Sequence, residues 1–487
     1  MDICKHDEFC GGCSYQNLQY QEQLRIKEEQ VLEFAKASGI KPKKFEHIEP
    51  SPMQYRYRNK MEYTFGDLVK DGEMTLGMHK KGHFMSIVTV EECQLVHKDF
   101  NKILEATLNF CKKYTKYHKR RHEGLMRNLV LRRGERTGEI LVNIVTTGEP
   151  GFDEQGFCRV INSLSLDNKI VGILRSINDD FSDAIKCQEL RILQGRDFYM
   201  EKIMDLDFKV SAFSFFQTNV TAAERLYQDA IALIDDFSGK TVFDLFCGTG
   251  TITQSLARSA RRVVGVEIVE EAVESARENA KLNNLENCEF IAGDVFKVLD
   301  SLDEKPDVIV VDPPRPGIQG KALGKIASYG VEEILYISCN PKTLCMDLAR
   351  FKEYGYEVEY MKPYDNFANT RHVETIVFLS HKKPDSQINV KVEFGDENGK
   401  FPIDNIAEKA EGYKPKEKVT YKMIQSYIKE KYNLKMHTAY IAEVKRNSGM
   451  KMQMEVKSEG TSQDRKSHPS KEKVEIIKDA LSHFNLI

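Results

Sequence analysis

The chain has 487 residues, with 71 Lys and Arg against 74 Asp and Glu, a formal net charge of −3, and 41% hydrophobic residues. That balance excludes a disordered tail or a fibrous protein, and the length calls for two to four domains. No apolar run reaches the length of a membrane span, and Met1-Asp2-Ile3-Cys4 opens no signal peptide, so a bacterial-type cytoplasm is expected.

In chain order, residues 1–40 carry a cysteine cluster followed by an expected helix over Asn17 to Ala37. Leu18, Leu24, Val31, Leu32 and Ala35 fall near helical spacing, and Gly39 is the expected stop. The 11 cysteines are odd in number and scattered, which argues against a disulfide framework. Cys4, Cys10 and Cys13, with a remote Cys93, give four thiolates whose count alone permits Zn²⁺ or a [4Fe–4S] cluster. Cys111, Cys158, Cys187, Cys288 and Cys345 carry no motif, and the 12 histidines show no ligand spacing.

Residues 41–206 become strand-like, as in Thr75 to Met78, Ser86 to Val90, Leu129 to Arg132 and Glu139 to Val145, and read as an α+β substrate domain. Five basic runs fall within one third of the chain, among them Arg56-Tyr57-Arg58-Asn59-Lys60 and Lys112 to Arg121. Any one of them is ordinarily a solvated face. Together, and interleaved with tyrosines, they favour a phosphate-tracking surface, with Arg56, Arg58 and Lys60 the first candidates.

From 207 to 382 the chain alternates strands and helices. The runs Lys240 to Leu245, Arg262 to Glu267, Cys288 to Ala292, Asp307 to Val311 and Glu333 to Ser338 predict a parallel sheet covered on both faces. Residues 383–487 form a C-terminal extension: a polar stretch, two short helices within Val419 to Met450 with Thr420 and Thr438 as N-caps, and a linker over Ser458 to Lys473.

Within the alternating segment, Asp244-Leu245-Phe246-Cys247-Gly248-Thr249-Gly250 links a strand to a helix. Its glycines allow a tight turn and close approach of a ligand to the backbone, but the third glycine of a dinucleotide fingerprint is missing. Glu267 ends the next strand, where a carboxylate can accept from both hydroxyls of a ribose. Gly293-Asp294 ends the third, a common place for an adenine contact. The series in register over three strands predicts a class I, Rossmann-like fold that binds S-adenosyl-L-methionine. Ser338-Cys339-Asn340-Pro341 then puts a thiol at the end of a buried strand. Cys247 reads as a packed turn residue.

These signals, with Asp312-Pro313-Pro314-Arg315, Ser214-Phe215-Phe216-Gln217-Thr218-Asn219 and His372-Val373-Glu374-Thr375, resemble the RNA uracil-5-methyltransferase family over residues 1–382. The resemblance implies that Cys339 is a nucleophile toward uracil C6 and Glu374 the base. It also implies that Gln217, Phe246, Glu267 and Asp312 contact the cofactor. It favours a [4Fe–4S] cluster over Zn²⁺ on Cys4, Cys10, Cys13 and Cys93, and 23S ribosomal RNA as partner, with transfer RNA second. An RNA-binding folding factor with incidental methylation is the alternative of another class. Arg315 stands where amino-group methyltransferases commonly have an aromatic residue, which disfavours methylation of a base nitrogen. Two further departures from the family are Thr251, where an Asn is common, and a start at the cysteine cluster without the β-barrel RNA-binding module of many relatives. The C-terminal helix pair loosely resembles a helix-turn-helix module. Nothing in the sequence indicates an oligomeric state.

Overall fold

Short runs of β-branched residues that are apolar on both sides can be stable only inside a covered sheet. Seven strands of the sheet built around such runs are numbered here: Thr241–Leu245 (β1), Arg262–Glu267 (β2), Cys288–Ala292 (β3), Val308–Val311 (β4), Glu333–Ser338 (β5), Tyr356–Tyr364 (β6) and Glu374–His381 (β7). Their spatial order is β6-β7-β5-β4-β1-β2-β3. β7 runs antiparallel to β5 and β6, while the β5-β4-β1-β2-β3 pairs are all parallel. Every residue of β1 and β4 is buried, as two helical layers require. The computed structural model describes residues 3–182, 185, 187–302, 304–381, 421–432, 434, 436, 438–447 and 471–484. The chain divides into two units, Met1–Gln387 and Ile388–Ile487.

The first five strands lie where the sequence predicts them; β6 and β7 went unrecognised. Both mix charged with apolar positions, and β6 carries a register shift between Val358 and Tyr360, so neither shows a clean period. An eighth strand, Lys44–Phe45, lies parallel to β6, so a piece of the expected substrate domain is part of this sheet. The N-terminal helix spans Tyr20–Ala37 and shares a core with the helix Pro341–Glu353 through Val31, Ala35, Leu344, Leu348 and Phe351. Gly39 ends it at φ +66°. Leu32, expected on its apolar face, is exposed, whereas Gln23 and Lys27 are buried.

A second sheet of seven strands orders His83–Thr89, Thr75–Lys80, Lys60–Gly66, Met126–Arg133, Glu139–Thr146, Lys169–Ile177 and Glu189–Gly195. Only Glu139–Thr146 and Lys169–Ile177 pair in parallel, and the crossover between them contains the helix Glu154–Asn162. That helix and Lys98–Cys111 contribute Phe157, Ile161, Phe100, Ile103 and Leu104 to one core with Leu129, Leu131, Val142 and Ile144. The hairpin Phe198–Ile203 and Leu206–Ser211 follows, so the expected boundary at 206/207 falls inside its second strand.

The second unit contains the helices Tyr421–Tyr432, Thr438–Asn447 and Lys471–His483. Ile424, Ile428, Met436, Ile441, Val444, Ile477, Ala480 and Leu481 form its core. The third helix overlaps the end of the expected linker; the earlier linker residues, the 385–415 stretch and Thr420 lie outside the described residues. Among the described residues no helix is long and apolar enough to cross a membrane.

Candidate active site

The glycine turn is shaped by three consecutive demands on the backbone. Phe246, Gly248 and Gly250 have φ of +69°, +54° and +78°. A Cβ on Gly250 would lie 2.6 Å from the Phe290 ring, whereas nothing stands within 4 Å of the Gly248 position. Gly250 therefore serves close packing, and Gly248 leaves the backbone open to a ligand. Asp244 is buried beneath the turn, and its Oδ2 accepts from Thr253 Oγ1 at 2.6 Å. Its Oδ1 is buried with no partner, and burial pushes the carboxyl up to about 7. Glu267, at the end of β2, accepts from the backbone N–H of Gly248 at 3.1 Å and of Val269 at 3.0 Å.

Three other strand ends face this turn. β4 delivers Asp312, β5 delivers Cys339, and β7, because it is reversed, delivers its first residue to the same end of the sheet. Ser338 pairs with Thr375, so continuing the antiparallel register by one step sets Cys339 opposite Glu374. Burial pushes Glu374 up to about 7, with Arg315 opposing. Burial also pushes the Cys339 thiol up to about 12, reinforced by Glu374 and Asp312 and opposed by Arg315. Asp312 is held well above the usual carboxylate range by burial and then by Glu374. Asn340 caps the helix Pro341–Glu353 by accepting from Lys342 N–H at 3.2 Å. Its Nδ2 donates to the Arg315 carbonyl at 3.0 Å, as does Thr343 Oγ1, fixing the Pro313-Pro314-Arg315 loop beside the thiol. The Arg315 guanidinium reaches His372 Nδ1 at 3.3 Å, and burial followed by Arg315 pulls that imidazole down to about 4.

One cavity of about 1270 Å³ collects all six expected side chains: Gln217, Phe246, Glu267, Asp312, Cys339 and Glu374. Arg315 is the one Lys or Arg among the described residues that line it. A cavity lined by four carboxyls, Glu267, Glu271, Asp312 and Glu374, with one cation at the wall suits a positively charged ligand. The sulfonium and ammonium of S-adenosylmethionine fit that donor set. Asp294 does not line this cavity; its carboxylate caps the helix Val295–Ser301. Thr251 is buried at the start of its helix, and Cys247 is half-buried in the turn.

Two groups of residues escaped sequence reasoning. Tyr227 is buried and its hydroxyl accepts from Gln217 Nε2 at 2.7 Å, which orients that amide. The loop before Glu374 is gripped from the N-terminal helix: Lys27 Nζ donates to Asp365 Oδ1 at 2.5 Å and Tyr20 to Oδ2 at 2.9 Å. Gln23 exchanges bonds with Asn369 at 2.8 and 3.1 Å. A buried lysine inside an amphipathic pattern was the available signal for the first of these.

Cys4, Cys10, Cys13 and Cys93 are free thiols of intermediate exposure. Burial pushes Cys13 up to about 12, and Cys93, Cys10 and Cys4 each add to that. Among the described residues, however, no group of three or more His, Cys, Asp or Glu is arranged to hold a metal ion. Of the RNA candidates, Arg56 is exposed, Arg58 bonds back to the Lys60 carbonyl, and Lys60 pairs with Glu62 at 2.6 Å.

The sheet with its reversed seventh strand, glycine turn and acidic second strand define a Rossmann-like, S-adenosylmethionine-dependent methyltransferase. Residues 185–382 match the family model described as tRNA (Uracil-5-)-methyltransferase. An uncharacterized RNA methyltransferase of Clostridium tetani is 50% identical over 77% of this chain and 82% of its own length. One from Caldanaerobacter subterraneus is 48% identical, over 77% and 84% respectively. Among solved structures, the tRNA (uracil-54, C5)-methyltransferase of Pyrococcus abyssi, in complex with S-adenosyl-L-homocysteine, is 28% identical with a TM-score of 0.63. That match covers 76% of this chain and 84% of the archaeal one. The chain belongs to the RNA uracil-5-methyltransferase family and is an S-adenosylmethionine-dependent RNA methyltransferase.

Proposed function

We propose that methylation at C5 of a uridine proceeds through covalent addition of Cys339 to C6, with Glu374 as the base. The observation carrying this is the β5–β7 register, which sets the thiol and the carboxyl opposite each other at the mouth of one cavity. C5 of uracil is too weak a nucleophile by itself. Cys339 first loses its thiol proton to solvent; as the thiolate forms the Sγ–C6 bond, the C5–C6 π electrons move to C5 and the O4 carbonyl, making C5 nucleophilic. S-adenosylmethionine, when bound, supplies the electrophilic methyl carbon. Glu374 then takes the C5 proton, and the electrons left behind expel Cys339 as thiolate. A carboxyl held near 7 is suited to receive that proton at neutral pH. Gln217, Phe246, Glu267 and Asp312 are proposed to hold the cofactor, since all four line the cavity.

The substrate we infer is 23S ribosomal RNA, on the family resemblance of the cysteine quartet. Transfer RNA is the second reading, favoured by the likeness to the archaeal tRNA (uracil-54) enzyme. Mapping 5-methyluridine by mass spectrometry in both RNAs, with and without the gene, separates the two. RNA carrying 5-fluorouridine should form a stable adduct with the wild-type chain and none with Cys339→Ala, because fluorine blocks the proton-removal step. An adduct formed equally by Cys339→Ala would refute the mechanism.

We also propose a [4Fe–4S] cluster, with Zn²⁺ the lesser option, on Cys4, Cys10, Cys13 and Cys93. Four free thiols, of which Cys4, Cys10 and Cys93 all act on Cys13, support it. Its place would be structural: Cys13 and Cys93 pack with Tyr57, Leu95 and Ala368, close to the loop that leads into Glu374. Protein purified anaerobically should contain iron and acid-labile sulfide; a colourless protein with stoichiometric zinc overturns the assignment.

A further inference from the structure

Large aromatic rings left in water need a reason when they cluster. On the substrate domain Phe181 is 73% exposed and Phe84 59%. Neither ring is isolated. Phe84 stacks on His79, with centroids 4.8 Å apart and planes 5° from parallel, and Lys119 Nζ lies 4.3 Å from its centroid. Phe181 sits 4.5 Å from the His122 ring, and His122 Nδ1 is 3.0 Å from the Tyr117 hydroxyl. The Arg127 guanidinium covers Tyr117 at 4.1 Å.

The two groups form one stripe, because the turn Tyr117 to Glu123, closed by the His118 N–H donating to the Glu123 carbonyl at 2.7 Å, supplies Lys119 to one and His122 to the other. Arg127 also anchors the far end. It donates to the carbonyls of Asn178 and Asp180 at 2.9 and 2.8 Å and of Ser182 at 2.8 Å, holding the connection that carries Phe181. Ile185 and Cys187, further along the same connection, line the catalytic cavity. The chain segment that carries Phe181 thus continues to residues of the cavity proposed to take the uridine.

We infer that this stripe is a stacking platform for unpaired nucleotides next to the target uridine, Phe84 and Phe181 each taking a base and the cations beside them the phosphates. The inference rests on the proposed RNA reaction and adds which nucleotides are gripped. Rings interleaved with Lys119 and Arg120 complement a chain that alternates π-faces with negative charge, whereas an apolar protein face would bury those cations without counter-charge. Base-paired RNA offers no free faces to such rings, so the platform selects unpaired flanks.

The test compares two RNA hairpins presenting the same uridine, one with unpaired and one with base-paired flanking nucleotides. Binding of each to the full chain is followed by fluorescence anisotropy at fixed salt. Phe84→Ala and Phe181→Ala should each weaken binding of the unpaired-flank RNA about tenfold and change the paired-flank RNA less than about twofold. Phe84→Tyr and Phe181→Tyr should restore binding, since a phenol still stacks. Both Ala variants should keep wild-type thermal stability and S-adenosylmethionine affinity. Equal loss on both RNAs, or wild-type affinity for both, overturns the platform; selective capture of a protein partner with unchanged RNA affinity does so too. Adduct formation with 5-fluorouridine RNA, read separately, reports on Cys339. Its absence alongside an intact flank preference would sink the mechanism and leave the platform standing.

Discussion

Replacing Lys27 by methionine tests whether the grip on the loop before Glu374 matters for turnover. The ammonium and the Asp365 carboxylate are both fully buried at 2.5 Å, and Lys27 also donates to the Phe367 carbonyl at 3.1 Å. Burial pulls Lys27 below the ordinary amine range, with Asp365 opposing, so desolvation outweighs attraction in this pair. The intact pair therefore adds little net stability, but stranding one charge is costly, about 3–5 kcal/mol in comparable sites. Asp365 would keep the Tyr20 hydroxyl at 2.9 Å and the Phe367 N–H at 3.2 Å, which favours the lower end, about 3 kcal/mol. Thermal unfolding of the full chain should thus shift down by several degrees at least. Lys27→Met combined with Asp365→Asn should recover part of the loss, because no charge is then left stranded. Below the melting range, kcat for methylation should fall while KM for RNA holds, since residues 365–370 run directly into the strand that begins with Glu374. Wild-type stability in Lys27→Met refutes the energetic reasoning. A kcat loss that merely tracks the unfolded fraction refutes the positioning reasoning.

Four further outcomes follow from the same geometry. As the proposed base, Glu374 would act only when ionised and is held near 7, so kcat should rise with pH through that value; a flat profile from pH 6 to 8 would count against that role. Glu374→Gln should accumulate the Cys339–RNA adduct on denaturing gels, because addition and methyl transfer precede the step it removes. Gly250→Ala drives a Cβ to 2.6 Å from the Phe290 ring at φ +78° and should cost about 1–3 kcal/mol in unfolding measurements. Gly248→Ala meets no neighbour and should cost only the left-handed backbone penalty, about 1–2 kcal/mol.

Asp244 gives a prediction of opposite sense to the usual carboxylate. Its folded value is about 7 against an ordinary 3.8, so between those values the folded state binds more protons than the unfolded one. Stability without cofactor should therefore fall as pH rises through that window, rather than as it drops. A cationic ligand near the unpartnered Oδ1 favours the ionised form, so S-adenosylmethionine should stabilise the protein more at pH 8 than at pH 5. Equal thermal shifts at both pH values would show that Asp244 does not sense the ligand's charge.

How much of this was legible in the sequence depends on how far each feature reaches along the chain. The glycine turn, Glu267, Asp312 and Cys339 all sit at the ends of short apolar strands, so their placement follows from a few neighbouring residues. Glu374 could be placed only by resemblance, because β7 lacks a clean period and its direction cannot be read from its residues. That direction is decisive. Run parallel to β5, β7 would have carried Glu374 to the far end of the sheet; run antiparallel, with Ser338 against Thr375, it brings the carboxyl to the thiol. The grip of Lys27 on Asp365 spans 338 positions and has no local signature beyond a lysine on an apolar face. Leu32 was placed inside by spacing, yet the helix turns Gln23 and Lys27 inward because Asn369 and Asp365 wait there. A helix read as a simple apolar stripe is in fact part polar, and its polar side holds the loop leading to Glu374. The chemistry is thus written locally at strand ends, while the alignment that makes it work is written in long-range pairs that only the folded chain reveals.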